Sequence, residues 1–286
     1  MADAACICQN PLKASSPLVL DSPHSGKDYP ADFRYACPKG WLEETEDSFV
    51  DELFAGAPDL GIPLLSAHFP RCYIDPNRAE NDIDPLLLDT PWPHNPRPTE
   101  RSTLGTGLIR RLHKQANPKP IYDRLLSVAE VEGRIHNYYL PYHTALAGLL
   151  DASYAVFGTV YHLNCHSMPG LKRTSPRHVD IVLGDLDGTA CDPAFTRFAA
   201  KTLKNLGYKV AVNDPYKGVE LVRRFSDPAR GRHSLQIELH RGLYMDAATR
   251  KKTDGFTRLQ QDMTRFLAQV IDFTNISATE RAAETG

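Results

Sequence analysis

The sequence predicts a layered α/β fold, on three observations. Short runs dense in Val, Ile, Leu and Tyr recur along the chain, amphipathic stretches separate them, and 286 residues suffice for one large core. The strand candidates are residues 17–22, 61–67, 71–75, 156–165, 179–184, 208–213 and 234–240. Apolar runs that end in a polar residue suit a mostly parallel sheet, whose interior strands are covered on both faces.

The helices follow from spacing and from stop signals. From Ile121, the residues Leu125, Val128, Ile135 and Tyr139 keep the 3–4 spacing of a buried stripe. Pro141 is expected to kink or end that helix, since it has no N–H and its ring clashes with the preceding turn. Asp192-Pro193 offers a capping carboxylate and a proline at the first helical position. The helix it opens carries Phe195, Phe198, Ala199, Leu203 and Leu206, and Gly207 stops it. Phe256, Leu259, Met263, Phe266, Leu267 and Val270 form a last stripe. Residues 76–120 crowd Pro, Asn, Asp and Arg without periodicity, as a functional or disordered loop does. Residues 1–286 read as a single domain with its core at about 17–272, leaving 1–14 and 277–286 as loose tails.

Composition narrows the function classes. Apolar residues at 42% and charged residues at 24% exclude a disordered or fibrous chain. Lys plus Arg is 33 against 35 for Asp plus Glu, so the net charge of -2 gives no reason to expect a nucleic-acid or anionic-membrane partner. No apolar run approaches the ~20 residues that span a bilayer. The six cysteines are scattered and form no CxxC, and MADAACICQN lacks the pattern of a signal peptide. A cytoplasmic enzyme without disulfides is the expectation.

The chemistry gathers where strand candidates stop, which is where α/β sheets hold ligands. His24 follows VLDSP, Asp75, Asn77 and Arg78 follow Ile74, His166 follows YHLNC, Asn213 and Asp214 follow KVAV, and Glu238 nears the end of SLQIELH. Two histidines and one carboxylate make a usual catalytic zinc set with a fourth position for water. On residues alone the carboxylate is Glu44, Glu46 or Asp47. Glu238 can accept the water proton, and the Arg78 fork suits a substrate carboxylate. The blander readings are specific too. A histidine after a strand is more often a loop residue, His162 inside its strand is more often structural, and Glu238 between Ile237 and Leu239 is more often an ion pair. No spacing matches HExxH, a P-loop or GxGxxG, and LGDLDG reads as a turn.

Taken in order, the segments DSPHSGKDYP, EDSFVDELF, YIDPNR, NCHSMPG, DIVLGDLDGTACDP, VNDPYKGVELVRRF and HSLQIELHRGLYMD resemble the N-formylglutamate amidohydrolase family over about residues 21–246. The resemblance implies a three-layer metallocarboxypeptidase-like domain: a mixed, mostly parallel sheet with helices on both faces. It implies one divalent metal, most readily Zn2+, and hydrolysis of N-formyl-L-glutamate to L-glutamate and formate, the last step of one histidine breakdown route. A related zinc amidohydrolase acting on another N-acyl amino acid is the alternative, followed by a metabolite-binding protein without catalysis. On the family's pattern His24, Asp47 and His166 hold the metal, Glu238 is the base, and Asn77 with Arg78 grips the α-carboxylate. Arg110, Arg111, Lys217, Arg223 and Arg224 are the candidates for the oxyanion or the side-chain carboxylate, with Arg111, Lys217 and Arg224 taken as substrate contacts. The sequence departs from the pattern at Val219-Glu220 and at His240, which bears on the acyl group and side chain accepted. The metal assignment requires the ligating nitrogens of His24 and His166 to lie within about 6 Å, because Zn–N bonds are ~2 Å long.

Overall fold

Seven strands form one mixed sheet in the computed structural model, which describes residues 5–113, 117–169 and 178–284, with side chains to residue 275. They are β1 (Cys6–Gln9), β2 (Leu18–Ser22), β3 (Leu64–Ala67), β4 (Val160–Met168), β5 (Ile181–Gly184), β6 (Val210–Val212) and β7 (Arg232–His240), in the order β1-β3-β2-β4-β7-β5-β6. The pairs β2–β4, β4–β7 and β5–β6 are parallel, and β5–β7 is antiparallel. Contacts group the chain into two compact units that alternate along the sequence. One comprises Met1–Ile7, Pro23–Ser48 and Ser66–Ala145, the other Cys8–Ser22, Phe49–Leu65 and Leu146–Gly286.

In the second unit β4 and β7 have two unlike faces. Tyr161, Leu163, Cys165, Leu235, Ile237 and Leu239 join Leu18 and Leu20 in an apolar core. The helices Pro193–Asn205 and Gly255–Glu284 add Phe195, Ala199, Leu203, Leu259, Met263, Phe266 and Val270 to it. The alternate positions are polar and equally buried: His162, Asn164 and His166 stand opposite Ser234, Gln236 and Glu238. Burial on both faces was expected of these strands, but period-two polarity was not. A buried polar face persists only if its groups hydrogen-bond one another, and these do.

The first unit is built around a buried cation on aromatic rings. The Arg134 guanidinium lies 4.1 Å from the centroid of Tyr73 and 5.6 Å from those of Phe33 and Tyr122. It donates to the Tyr73 carbonyl at 3.0 Å and to Tyr122 Oη at 2.8 Å. The Tyr73 contact pins the segment that presents Asp75, Asn77 and Arg78.

Six expected strands are present, but residues 71–75 form a turn. Tyr73 N donates to the Pro70 carbonyl, and Arg71 donates through Nε and Nη2 to Asp75 Oδ2, closing the segment on itself. The helix expected from Ile121 starts at Val128, behind a capping box in which Ser127 and Glu130 each bind the other's backbone N–H. Pro141 does not end it. The chain passes from Val128–Arg134 through a π-turn at Ile135–Tyr139 into Leu140–Phe157. The wider turn relieves the clash of the proline ring with the carbonyl four residues earlier, and only one donor is lost. Among the described residues, β1 lies within residues 1–14 and the last helix runs to Glu284. The Asp192 cap is present, its carboxylate accepting from Ala194 N at 2.8 Å. None of the six cysteines is in a disulfide.

Candidate functional site

His24 follows the end of β2 on a loop held against the backbone of its own unit. A Cβ on Gly26 would stand 2.3 Å from the Phe69 carbonyl oxygen, so only glycine permits that approach. Asp47 N donates to the His24 carbonyl at 2.9 Å and Ser25 Oγ to the Asp47 carbonyl at 3.1 Å. These bonds bring together residues 23 positions apart, and His24 Nδ1 faces Asp47 Oδ2 at 3.3 Å. On the other side of the ring, Nε2 donates to Asp75 Oδ1 at 2.7 Å.

That second bond sets the tautomer. With the proton on Nε2, Nδ1 can turn a lone pair toward the Asp47 carboxylate, and a proton or a metal ion can bridge the two. Asp75 is fully buried, which alone would raise its pKa, but Arg71, His24 and Arg78 outweigh burial and hold it well below the ordinary range. It stays ionised and keeps the imidazole oriented.

His166 is oriented through the polar face of the sheet. Asp21 Oδ1 accepts from His162 Nε2 at 2.8 Å and from Asn164 Nδ2 at 2.7 Å. Asn164 Oδ1 then accepts from His166 Nε2 at 2.7 Å, so Nδ1 is the nitrogen that could ligate a metal ion. Ser234 completes His162 at 2.8 Å, so His162 is the structural residue expected. Glu238 is in direct register with His166 on the neighbouring parallel strand, and its Oε1 accepts from Gln236 Nε2 at 2.9 Å.

His24, Asp47 and His166 are all buried, and each offers one atom suited to a metal ion. The donor set therefore could hold a metal ion. The other acids weighed from sequence are engaged elsewhere: Glu44 pairs with His113 at 3.3 Å, and Tyr29 Oη donates to Glu46 at 2.6 Å. Burial pushes the Glu46 carboxyl up to about 7, with Glu43 adding to the rise and the Tyr29 bond opposing it.

Asn77 and Arg78 lie in the same unit as Asp75. Asn77 N donates to Asp75 Oδ1 at 2.9 Å, and Arg78 Nη1 donates to the Asn77 carbonyl at 2.8 Å. Each of the three cations taken as substrate contacts has a neighbour of its own. Arg111 donates to buried Asp84 at 2.6 Å, Lys217 pairs with Asp187 at 2.8 Å on the surface, and exposed Arg224 lies 6.0 Å from the Phe225 ring. Of the two departures, His240 Nδ1 caps a turn by accepting from Gly242 N at 2.9 Å, and Glu220 opens a helix and pairs with Arg223. Sequence reasoning gave no part to Asn164, Gln236 or Arg71, although polar residues at every second position of both strands were a visible signal.

Oriented buried imidazoles, a carboxylate that can share a cation with one of them, and a glutamate in register with the other are the parts of an α/β hydrolytic enzyme. A sequence model of the N-formylglutamate amidohydrolase family matches residues 16–245, and the chain belongs to that family. It is 28% identical over 249 residues to the N-formylglutamate deformylase of Pseudomonas aeruginosa, covering 80% of this chain and 82% of that one. Against the Pseudomonas putida N-formylglutamate deformylase the identity is 27% over 255 residues, covering 84% of each. The crystal structure of N-formylglutamate amidohydrolase from Ralstonia eutropha JMP134 has a TM-score of 0.91 and 46% identity, covering 96% of this chain and all of that one.

Proposed function

We propose that this protein hydrolyses N-formyl-L-glutamate to L-glutamate and formate, using one zinc ion held by His24, Asp47 and His166, with Glu238 as general base and Asn77 with Arg78 on the α-carboxylate. The single observation that supports this reading is the register of Glu238 with His166, which pairs a glutamate with an oriented histidine on adjacent parallel strands. Membership of the family, and relatives named for this activity, support the substrate. The finer layering of the fold, with helices on both faces as in metallocarboxypeptidases, belongs to the same proposal, as does a cytoplasmic place in histidine breakdown.

When bound, the metal supplies a Lewis acid that polarises the formyl carbonyl and lowers the pKa of water. The chain's own groups do the rest. Arg78 fixes the amino acid by its α-carboxylate with a planar fork. Glu238, held by Gln236, takes a proton from the attacking water and returns it to the leaving α-amine. Asp75 and Asn164 keep both imidazoles facing inward throughout.

Glu238→Gln keeps the shape and removes the base, so zinc content should stay at the wild-type level while formate release falls by on the order of 10²-fold or more. Metal analysis paired with a formate assay decides it; near-normal release takes Glu238 out of this role. A panel of N-formyl, N-acetyl and N-succinyl amino acids tests the acyl group and the amino acid.

A further inference from the structure

We infer that Arg110 selects the substrate by gripping its side-chain carboxylate, a role that rests on the hydrolase reading above. Arg71, Arg78 and Arg110 act on one another and on Asp75 as a cluster within one unit. Three guanidinium groups thus act on the Asp75 carboxylate, with Asp82 a second carboxylate acting on Arg78, and Asp75 already accepts from His24 Nε2, Asn77 N and both Nε and Nη2 of Arg71. Arg78 donates to the Asn77 carbonyl at 2.8 Å and to the Thr106 carbonyl at 3.4 Å. Arg110 Nε is buried and has no hydrogen-bond partner.

A buried guanidinium nitrogen without an acceptor costs free energy that the fold must recover elsewhere. Burial first, then the charges of Arg71 and Arg78, push the Arg110 pKa down to about 9, so the cluster disfavours its own third cation. A further anion removes both penalties. An N-acyl amino acid with a carboxylate side chain brings two negative charges, one for Arg78 and one for Arg110. A neutral side chain would leave Arg110 as it stands, and sites built to pair a charged group reject the analogue that lacks it.

The test compares formate release from N-formylglutamate and from its neutral isostere N-formylglutamine in the purified enzyme and in Arg110→Gln. Wild type should favour the glutamate compound, and R110Q should lose roughly 10- to 100-fold in kcat/KM on it while the glutamine compound is little changed. An unaltered preference, or equal losses on both, overturns the inference. Should wild type release formate from neither, the hydrolase reading fails, and binding decides the present point. Glutarate should then raise the thermal midpoint of wild type more than butyrate does, and should lose that advantage in R110Q; the same advantage in both proteins overturns the assignment. If R110Q does not fold, Arg110→Lys keeps the charge without the fork and should raise KM for the glutamate compound about 10-fold; an unchanged KM overturns it.

Discussion

At the scale of residues, the candidate site depends on groups one bond behind the ligands. Asp75 holds His24 Nε2 at 2.7 Å, and Asn164 holds His166 Nε2 at 2.7 Å. Each fixes a tautomer and a ring angle that the histidine alone would not keep. Asp75→Asn retains the shape but removes the charge that draws the proton to Nε2, so zinc affinity should fall by roughly 10–100-fold. Competition with a chromophoric chelator measures this, and an affinity equal to wild type would show that Asp75 does not tune the ligand. Asp75 was legible as a polar residue after Ile74, at the end of the strand candidate 71–75. Its partner was not, because the Asp75–His24 bond spans 51 positions.

At the scale of elements, local signals were legible where the partners lie within a turn of each other. Asp192-Pro193 opens its helix as expected, and the Ser127–Glu130 box opens another by the same chemistry. Hydrogen bonds from Arg124 first, then from Ser127 N and Arg34, hold the Glu130 carboxyl at about 2 against an ordinary 4.5, with partial burial opposing them. A depressed folded-state pKa contributes stability above the unfolded value, and that contribution is lost as pH falls from 4.5 toward 2. Glu130→Gln should therefore cost about 1 kcal/mol at pH 7 and less at acid pH. Urea unfolding at pH 7 and near pH 3 checks it, and a gap independent of pH would refute it. Residues 71–75 went the other way, and Pro141 is passed by a π-turn and does not end its helix. In each, a local preference yielded to contacts the local sequence does not contain: a π-turn under the proline, and an Arg71–Asp75 pair that folds a would-be strand into a turn.

For the molecule as a whole, a metal that binds only the folded chain must stabilise it. Chelation should lower the thermal midpoint and added zinc should restore it, by about 2.7 kcal/mol when free zinc is a hundred times its Kd. His166→Asn should abolish the zinc-dependent shift; calorimetry showing the shift intact would rule out this donor set. The sequence by itself determined the α/β class, six of the seven strands, the capped helix at Pro193, the final amphipathic helix and the residue types of the site, because apolar periodicity and capping act over a few residues. Only the tertiary structure decided that Asp47 rather than Glu44 or Glu46 meets His24, that β4 and β7 share one polar face of the sheet, and that Arg110 joins Arg71 and Arg78 while Arg111 turns to Asp84. Those outcomes depend on backbone approaches between segments tens to more than a hundred residues apart, and such distances follow from how the whole chain packs, not from the residues beside each position.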